Sequence, residues 1–422
     1  MVDQRRIDNQ RWVDSRTAAR HLGVHLRTLY AYVSRGMVRS VAGEQGRPRL
    51  YALDDLDRLR VRRDARAGHG AVAAGALRWG EPVLDSAITA ITPRGPAYRG
   101  QLATTLAEQG ARFENVAELL WSGYLPDEPV LWPRGAPPVA QLGKLVPYGS
   151  PPVEVMRVLI EVAALADPQR RDARPDAIIS RGRGLIPLLA AALAPDFAAA
   201  TVTRALGGSS VSIIAARALG LDDEAARILD VALVLLADHE LNASSFTARV
   251  AASTDADPYA CVVAALATLS GAKHGSAAEL VARFADEVGS PDQARGAVRA
   301  LRKKGEVPPG FGHLLYPNGD PRALPLLAIA REHATSRSSK RARTLLAIVD
   351  AVAATAARDA RPNVDCGLAA LVAALGVLPT AGPGLFAVAR SAGWLAHVLE
   401  QRAAGFLLRP RARYVGRAVT PA

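Results

Sequence analysis

At 422 residues the chain is longer than one ordinary domain, which indicates two or three domains. Hydrophobic residues make up 50% of it and aromatic residues only 5%, and alanine-rich runs recur, so the composition favours close-packed helices over sheet. With only two cysteines, Cys261 and Cys366, a disulfide scaffold and a cysteine zinc cluster are excluded. With no apolar leader segment either, we expect a cytoplasmic protein.

The net charge of +12 lies mostly at the N-terminus. Residues 1–68 contain 15 arginines, no lysine and 8 acidic residues, a net charge of +7. A basic module on a nearly balanced body indicates a polyanionic partner, most simply nucleic acid. The alternative is a coding bias toward arginine, because the whole chain has 47 arginines and only five lysines.

The first predicted elements are two short helices. Asp14 and Ser15 can cap the start of the first helix, and Gly23 predicts its end in a left-handed conformation. The second helix is predicted to begin at Val24 and to end at Gly36. The apolar residues expected on the inner faces of this pair are Ala18, Ala19, Leu22, Leu29, Tyr30 and Val33.

Together with a wing-like segment at 43–51 and a closing helix at 53–59, this pattern resembles the winged helix-turn-helix of mercury-resistance regulators and excisionases. In such modules the second helix enters the major groove of DNA, and the wing contacts phosphate or the minor groove. The alternative is a winged helix that makes only protein contacts. The residues that the resemblance places on duplex DNA are Arg27, Thr28, Tyr32, Arg35, Arg47 and Arg49.

The small residues at 68–75 indicate a flexible connection. The predicted division is therefore a winged helix-turn-helix at 1–68, a linker at 69–84 and a body at 85–422. The body is predicted to be helical throughout, since no alternating pattern of strand length stands out beyond the wing.

One uncharged stretch of the body, Gly367–Ala389, is long enough to span a membrane by residue count alone. Pro379–Gly384 interrupts it with two prolines and two glycines. We therefore expect two buried core helices joined by a tight loop, and no association with a membrane.

Four polar stretches stand apart from the alanine and leucine background of the body. The residue four positions after His239 is Ala243, which excludes a zinc-protease helix, and no other zinc-ligand spacing, nucleophile elbow or phosphate loop occurs. Histidines beside small residues, an aspartate in a turn and several arginines suit carbon–carbon bond formation next to a carbonyl group. The four stretches are His239–Arg249, Lys273–Gly275, Gly310–His313 with Asp320–Arg322, and Pro362–Asp365.

In this order, and with Tyr98–Gly100, Phe386–Gln401 and Arg409–Gly416, these stretches resemble the citrate synthase family over roughly residues 85–416. The resemblance implies an all-α, two-domain helical body, in which a small domain at roughly 275–378 closes over the substrates. It also implies a homodimer that condenses acetyl-CoA with oxaloacetate. The CoA thioester is a substrate, and neither a cofactor nor a metal is implied.

The resemblance also implies the catalytic roles. Asp365 would remove a proton from the methyl group of the acyl-CoA, and His274 would hydrogen-bond the thioester oxygen, with Gly275 leaving room for the substrate. His313 would polarise and protonate the ketone of oxaloacetate. Each residue has a structural alternative: Asp365 could only cap a helix, and a lone histidine is usually structural, as we assume for His397 among apolar neighbours.

Substrate binding is implied for two further groups of residues. His239 would contact oxaloacetate, Arg322 and Arg390 would hold its carboxylates bidentately, and Arg409 would reach the site from the other subunit of a dimer. The residues that would present backbone groups to the CoA adenine are Pro309, Gly310, Phe311 and Gly312.

The sequence departs from the family pattern at three places. Ser276 stands where a second glycine is usual, Leu314 where an arginine is usual, and Cys366 with Gly367 where an aromatic residue is usual. None of these changes removes a catalytic group. Because small residues after the base indicate a roomier acyl pocket, we expect propionyl-CoA to be accepted alongside acetyl-CoA.

Three functions therefore remain open at this point. The favoured one is a citrate synthase, and the nearest alternative is a 2-methylcitrate synthase that uses propionyl-CoA. A third is a DNA-binding regulator whose body senses a CoA ester or citrate without turnover. The intact His274, His313 and Asp365 favour an enzyme, whereas the helix-turn-helix favours a regulator, and both could hold.

Overall fold

The computed structural model describes residues 12–35, 37–41, 49–53, 55, 56, 59, 84–133, 146–334, 340–355, 361–412 and 416. The chain divides into two compact units, Met1–Asp85 and Ser86–Ala422. Nearly all of the expected linker, Gly36 and the middle of the expected wing lie outside the described residues.

Both predicted helices of the first unit are present. Helix α1 (Ser15–Leu22) begins after Asp14, whose carboxylate accepts the N–H of Thr17 at 2.8 Å, and it ends at Gly23 with φ of 58°. Helix α2 (Leu26–Ser34) begins two residues later than predicted, because His25 is still in an extended conformation.

A three-stranded antiparallel sheet completes the first unit. Its strands are β1 (Trp12–Asp14), β2 (Ser40–Val41) and β3 (Leu50–Ala52), in the order β1-β3-β2. Strands β2 and β3 pair with each other, and the first of them lies just before the predicted wing at 43–51. The core between helices and sheet contains the buried residues Ala18, Ala19, Leu22, Leu29, Val38, Tyr51, Leu56 and Leu59.

In the second unit the prediction of an entirely helical body is wrong at one place. Strands β4 (Thr89–Thr92), β5 (Gly95–Tyr98) and β6 (Gln101–Leu102) form a small antiparallel sheet. Strand β5 reads Gly-Pro-Ala-Tyr and is buried on both faces, so neither β-propensity nor alternation marks it in the sequence. The Tyr98 hydroxyl donates to the carbonyl group at the end of a long helix, Val234 O, at 3.0 Å.

The rest of the described second unit is helical, which confirms the predicted all-α class. The helices are α3 (Ala103–Glu108), α4 (Phe113–Ser122), α5 (Pro152–Ala166), α6 (Pro175–Ala191), α7 (Ala199–Leu206), α8 (Val211–Ala218), α9 (Ala225–Leu236), α10 (Ala243–Ser253), α11 (Pro258–Leu269), α12 (Ala277–Val288), α13 (Ala294–Lys303), α14 (Ala323–His333), α15 (Lys340–Ala353), α16 (Val364–Ala374) and α17 (Ala381–Ala404).

Helix α17 is the central element of this unit. It is buried over nearly all of its first 18 residues and packs against α4, α6, α9, α10 and α11. Helices α16 and α17 are the two buried helices predicted for the long uncharged stretch. Within the described part of the chain, no helix is long and apolar enough to cross a membrane.

Helices α12 to α16 pack on one another and position the remaining polar segments. Helices α14, α15 and α16 share a second buried cluster that includes Leu327, Leu346 and Cys366. The segment at 310–312 pairs with 361–363, since the Gly312 N–H donates to Arg361 O at 2.7 Å and the Asn363 N–H donates to Gly310 O at 2.9 Å. This pairing places the glycine-rich segment beside the start of α16.

Candidate active site

The turn between α9 and α10 carries the first site residue. Asn242 caps α10, because its Oδ1 accepts the N–H groups of Ser244 and Ser245, both at 3.1 Å. His239 lies three residues earlier in this turn and is 8% exposed. The Asn242 cap therefore holds the turn that carries His239 against the start of α10.

His239, His313 and Tyr316 form one cluster of rings. His239 Nε2 lies 3.0 Å from the Tyr316 hydroxyl, and the His239 and His313 rings meet edge to face with centroids 5.5 Å apart. The Leu315 N–H donates to His313 Nδ1 at 3.1 Å. A neutral His313 therefore carries its proton on Nε2, where it can donate to a substrate oxygen.

His274 lies at the other side of this region, at the end of the α11–α12 connection. Its Nε2 is 2.9 Å from the Ser244 hydroxyl, and its ring meets Phe386 of α17 edge to face at 6.4 Å. Packing requires a glycine at position 275, because a Cβ there would lie 2.8 Å from Leu269 Cγ and collide with the Leu269 carbonyl oxygen.

The three histidines are neutral at pH 7. Burial lowers the pKa of His274 to about 4, and the charge of Arg390 adds to the shift. Burial also lowers the pKa of His313 and takes that of His239 well below its usual value, with Arg322 contributing to both. Neutral imidazoles can donate one hydrogen bond without bringing a second positive charge beside the arginines.

Arg322 is fully buried and engaged by Asp320. Its Nε and Nη2 donate to the two oxygens of that carboxylate at 3.0 and 2.8 Å. Asp320 Oδ2 also accepts the N–H of Val364, so the ion pair is tied to the start of α16. One edge of the guanidinium is thus occupied, and the Nη1/Nη2 edge is left for a substrate carboxylate.

Arg390 of α17 is 2% exposed and lacks a carboxylate partner among the described residues. Its Nε donates to Leu236 O at 2.9 Å, and the guanidinium lies 4.5 Å from the centre of the Phe386 ring. Burial lowers the pKa of Arg390 to about 10. A buried cation with two open NH2 groups is suited to bind an anionic ligand.

Asp365 lies in the first turn of α16 and is half-buried. Burial raises its pKa to about 6, against the opposing charges of Arg322 and Arg390. The capping role that the sequence left open belongs to its neighbour Asn363, whose Oδ1 accepts the N–H of Asp365 at 3.0 Å. Asp365 is therefore free for chemistry and is a stronger base than an ordinary aspartate.

The residues expected at the CoA adenine retain fewer free backbone groups than the sequence suggests. Gly310 and Gly312 already pair with 361–363, which leaves the backbone groups of Pro309 and Phe311 for a ligand. Gly310 has φ of 84°, and a Cβ there would lie 2.5 Å from Val281 Cγ2. A glycine is therefore required here by packing.

The substitutions after the base do not enlarge a pocket. Cys366 is fully buried in the cluster with α14, and burial raises the pKa of its thiol to about 12, so it is unreactive. A Cβ at Gly367 would lie 3.0 Å from Leu326 Cβ. Because both residues pack against α14, the basis for a roomier acyl pocket is absent at these positions.

His397 differs from the expectation of apolar surroundings. It is fully buried on α17, and its Nε2 lies 3.4 Å from Oδ1 of the fully buried Asp238. One turn earlier the Gly393 N–H donates to Ala237 O at 3.1 Å. This close approach holds α17 against the residues immediately before His239.

Arg409 is the substrate-binding candidate that is not brought to the site within its own chain. It follows the end of α17, is exposed, and makes no hydrogen bond or ion pair to a site residue in the described chain. Tyr316, which contacts His239, lies outside every stretch that the sequence analysis singled out. The residues near the site that lie within those stretches but were given no role are Ser244, Asp320, Phe386 and Trp394.

The DNA-binding candidates lie on the first unit. Arg27 and Arg35 are exposed on and just after α2, Thr28 is half-buried, and Arg49 is exposed beside β3. Tyr32 is half-buried and packs against the core. Tyr30, expected on the inner face, is 50% exposed, so that prediction is wrong. The remaining candidate, Arg47, lies outside the described residues.

The described residues hold no group of three or more histidine, cysteine, aspartate or glutamate side chains that could bind a metal ion.

The citrate synthase C-terminal domain profile matches residues 76–411. The profile of the MerR helix-turn-helix family of regulatory proteins matches residues 14–71.

Curated citrate synthases and a 2-methylcitrate synthase align with this chain over 186 to 360 residues. The chain is 32% identical to the citrate synthase of Deinococcus radiodurans over 326 residues, 74% of this chain and 81% of that protein. It is 42% identical to citrate synthase 2 of Bacillus subtilis over 186 residues, but spans only 50% of that protein. It is 30% identical to the 2-methylcitrate synthase of Mycobacterium tuberculosis over 360 residues, 80% of this chain and 89% of that protein.

Solved structures share the fold. Citrate synthase from Thermotoga maritima superposes with a TM-score of 0.67 at 27% identity, over 81% of this chain and 96% of that chain. The citrate synthase of Thermoplasma acidophilum, in a ternary complex with carboxymethyl coenzyme A and oxaloacetate, gives 0.70 at 25% identity over the same shares. The chain belongs to the citrate synthase family, the enzymes that condense an acyl-CoA with oxaloacetate.

Proposed function

We propose that this chain condenses acetyl-CoA with oxaloacetate to form citrate and free CoA. The observation that carries the proposal is that Asp365, whose pKa is raised, shares two arginine neighbours with the imidazoles of His274 and His313. The charge of Arg322 acts on Asp365 and His313, and the charge of Arg390 acts on Asp365 and His274. Two buried guanidinium groups, those of Arg322 and Arg390, provide charge for a dicarboxylate.

In the proposed reaction the Asp365 carboxylate takes a proton from the methyl group of acetyl-CoA. The enol that forms is stabilised by a hydrogen bond from His274 to the thioester oxygen. The enol carbon attacks the ketone carbon of oxaloacetate, whose oxygen takes the proton from His313 Nε2. Water then cleaves the citryl thioester to citrate and CoA, which drives the reaction forward.

Substrate binding follows from the same geometry. His239 and the open NH2 groups of Arg390 would contact oxaloacetate together with the free edge of Arg322. In a homodimer, Arg409 would reach the site of the other subunit. Helices α12 to α16, which pack on one another, would form most of a small domain at roughly 275–378 that closes over both substrates.

Thiol release tests this proposal. The full chain is mixed with oxaloacetate and either acetyl-CoA or propionyl-CoA, and free CoA is measured with a thiol reagent. We expect oxaloacetate-dependent release with acetyl-CoA and slower but measurable release with propionyl-CoA, since one methylene in an apolar pocket is worth only ~1–3 kcal/mol. Faster turnover of propionyl-CoA would favour a 2-methylcitrate synthase, and binding without release would favour a sensor.

Arg390→Lys is expected to weaken the apparent affinity for oxaloacetate by about tenfold or more, a loss of ~1.4 kcal/mol. Lysine keeps the charge but cannot reproduce the planar fork that binds a carboxylate through two parallel bonds. The apparent KM for oxaloacetate measures the effect. Kinetics equal to those of the unchanged protein would remove Arg390 from the oxaloacetate site.

We also propose that the first unit binds duplex DNA. The match to the MerR helix-turn-helix profile and the exposed Arg27, Arg35 and Arg49 support this function. A dimeric body would present two such modules to a two-fold-related DNA site. Binding would add to catalysis rather than replace it, because every catalytic candidate lies in the second unit.

Deleting residues 1–68 is expected to abolish DNA binding and to leave thiol release intact. For the full chain, affinity should fall steeply with salt, because each neutralised phosphate adds ~0.9 to the slope of log affinity against log salt concentration. Fluorescence anisotropy with a labelled duplex across a salt titration gives the slope. Equal, weak retention of DNA by full and truncated chains would show that the module serves another purpose.

A further inference from the structure

A cavity with an empty volume of about 310 Å³, partly open to solvent, lies in the second unit. Its walls come from the start of α4, the segment that follows α4, the middle of α6 and the start of α8. None of the residues that line it is a candidate for catalysis or for substrate binding. The side chains in its wall include those of Glu114, Trp132, Pro133, Pro187, Leu206 and Ile214.

Glu114 is the charged residue among the described residues that line the cavity. It lies in the first turn of α4 and is 2% exposed. Its Oε1 accepts the N–H of Val211, the first residue of α8, at 2.6 Å. Its Oε2 is buried and has no hydrogen-bond partner in the described part of the chain. Because an unpaired buried oxygen is unfavourable, Oε2 marks a place for a donor.

The charges around Glu114 favour a cationic donor over a neutral one. Asp230 of α9 accepts the N–H of Phe113, the neighbour of Glu114, at 3.0 Å. Burial raises the pKa of Asp230 to about 7, and the negative charge of Glu114 adds to the shift. Burial also raises the pKa of Glu114, and the cation that opposes this shift, Arg112, is exposed to solvent. A positive ligand would therefore relieve the repulsion between two carboxyl groups.

The outer wall of the cavity is apolar and preformed. The Trp132 ring stacks on Trp121, with centroids 5.4 Å apart, and its indole N–H donates to Glu118 Oε1 at 3.0 Å. These contacts hold the ring in place before any ligand arrives. The enclosed inner part of the cavity has room for about one water-sized group, which is the size of a primary ammonium group.

We propose that this cavity binds a small organic ammonium ion, a protonated primary amine on a short apolar chain. The ammonium group donates to Glu114 Oε2, and the apolar chain packs against Trp132, Pro133 and Leu206. A buried carboxylate with apolar walls matches both parts of such a ligand. The assignment does not rest on the proposed condensation reaction.

Titration with n-butylammonium tests the assignment, and n-butanol is the neutral control of equal length. Protein labelled with 5-fluorotryptophan gives one fluorine-19 resonance for each of its five tryptophans, and Trp132→Phe identifies that of Trp132. At pH 8 and constant ionic strength, we expect n-butylammonium to shift the Trp132 resonance with a dissociation constant in the millimolar range. The affinity for n-butanol should be at least about tenfold lower, because it lacks the charge.

Glu114→Gln removes the charge and keeps an oxygen that can accept the Val211 N–H. We expect this variant to bind n-butylammonium at least about tenfold more weakly than the unchanged protein. Glu154→Gln is the matched control, because Glu154 is an exposed glutamate in the first turn of α5 and does not line the cavity. Its affinity should equal that of the unchanged protein. Thermal unfolding verifies that both variants are folded.

Three results would overturn the assignment. A Trp132 resonance that n-butylammonium leaves in place, or equal affinities for n-butylammonium and n-butanol, would show that the cavity holds water only. Equal affinities of the unchanged protein and folded Glu114→Gln would remove Glu114 from the site. Ammonium chloride as effective as n-butylammonium would contradict the role of the apolar wall. The comparison of ligands uses the unchanged protein, so it decides even if Glu114→Gln unfolds, and it requires no turnover.

Discussion

Asp365→Asn is expected to reduce turnover by a factor on the order of 10² or more while the protein stays folded. The amide cannot take the methyl proton of acetyl-CoA, and Asp320 cannot replace Asp365, because both of its carboxylate oxygens are held by Arg322. Steady-state thiol release under saturating substrates measures the loss. A variant that turns over at the unchanged rate would remove Asp365 from the mechanism.

The raised pKa of Asp365 adds a pH dependence to the same comparison. Since only the ionised carboxylate is a base, kcat/KM should fall as the pH drops through about 6. The pKa in the folded state lies above the ordinary value of 3.8, so the stability that the protonated group contributes is lost as the pH rises through about 6. Asp365→Asn should therefore be at least as stable as the unchanged protein at pH 8, as measured by thermal unfolding.

Gly393→Ala is expected to destabilise the second unit by ~1–3 kcal/mol through overpacking. A Cβ at this position would lie 2.6 Å from the Ala237 carbonyl oxygen and closer still to Asp238 Oδ1, both in the buried turn before His239. Helix α17 would have to move away from this turn, and Arg390 would move with it. A displacement of about 1 Å can cost on the order of 10² in rate, so kcat/KM should fall by about that factor.

Gly296→Ala is the matched control for this substitution. Gly296 is an exposed helical residue of α13, and an added Cβ would meet nothing within 4 Å. Alanine there should raise stability by ~0.5–1 kcal/mol through its better helix propensity and leave kcat/KM unchanged. If Gly393→Ala behaved like Gly296→Ala, the close approach of α17 would not be essential to the site.

The sequence predicted well those features that short local patterns determine. Asp14 and Gly23 bracket α1 as expected, because caps and left-handed glycines act within a few residues. Two helices were also predicted on either side of a break at Pro379–Gly384, but the observed break lies at 375–380, and Ala381–Gly384 already belong to α17. The ordered motifs also predicted site roles for His274, His313, Asp365, Arg322 and Arg390, and these roles stay a prediction. In the structure the charge of Arg322 acts on Asp365 and His313, and the charge of Arg390 acts on Asp365 and His274.

Features that depend on contacts distant in sequence were missed. Ser244 meets His274 and Trp394 across 30 and 150 residues, so no local spacing indicates the junction. Tyr316 is three residues from His313, but its contact with His239 spans 77 residues. Strand β5 is hidden by glycine and proline, and His397 looked apolar because Asp238 comes from another part of the chain.

Carbon–carbon bond formation is the central claim, and labelled acetyl-CoA tests it most directly. The full chain is incubated with oxaloacetate and acetyl-CoA that carries carbon-13 in its methyl group, and the products are followed by NMR. We predict that the label appears in a methylene group of citrate, with one CoA released per citrate and no product without oxaloacetate. Hydrolysis of acetyl-CoA to labelled acetate, or release of CoA without citrate, would contradict the account.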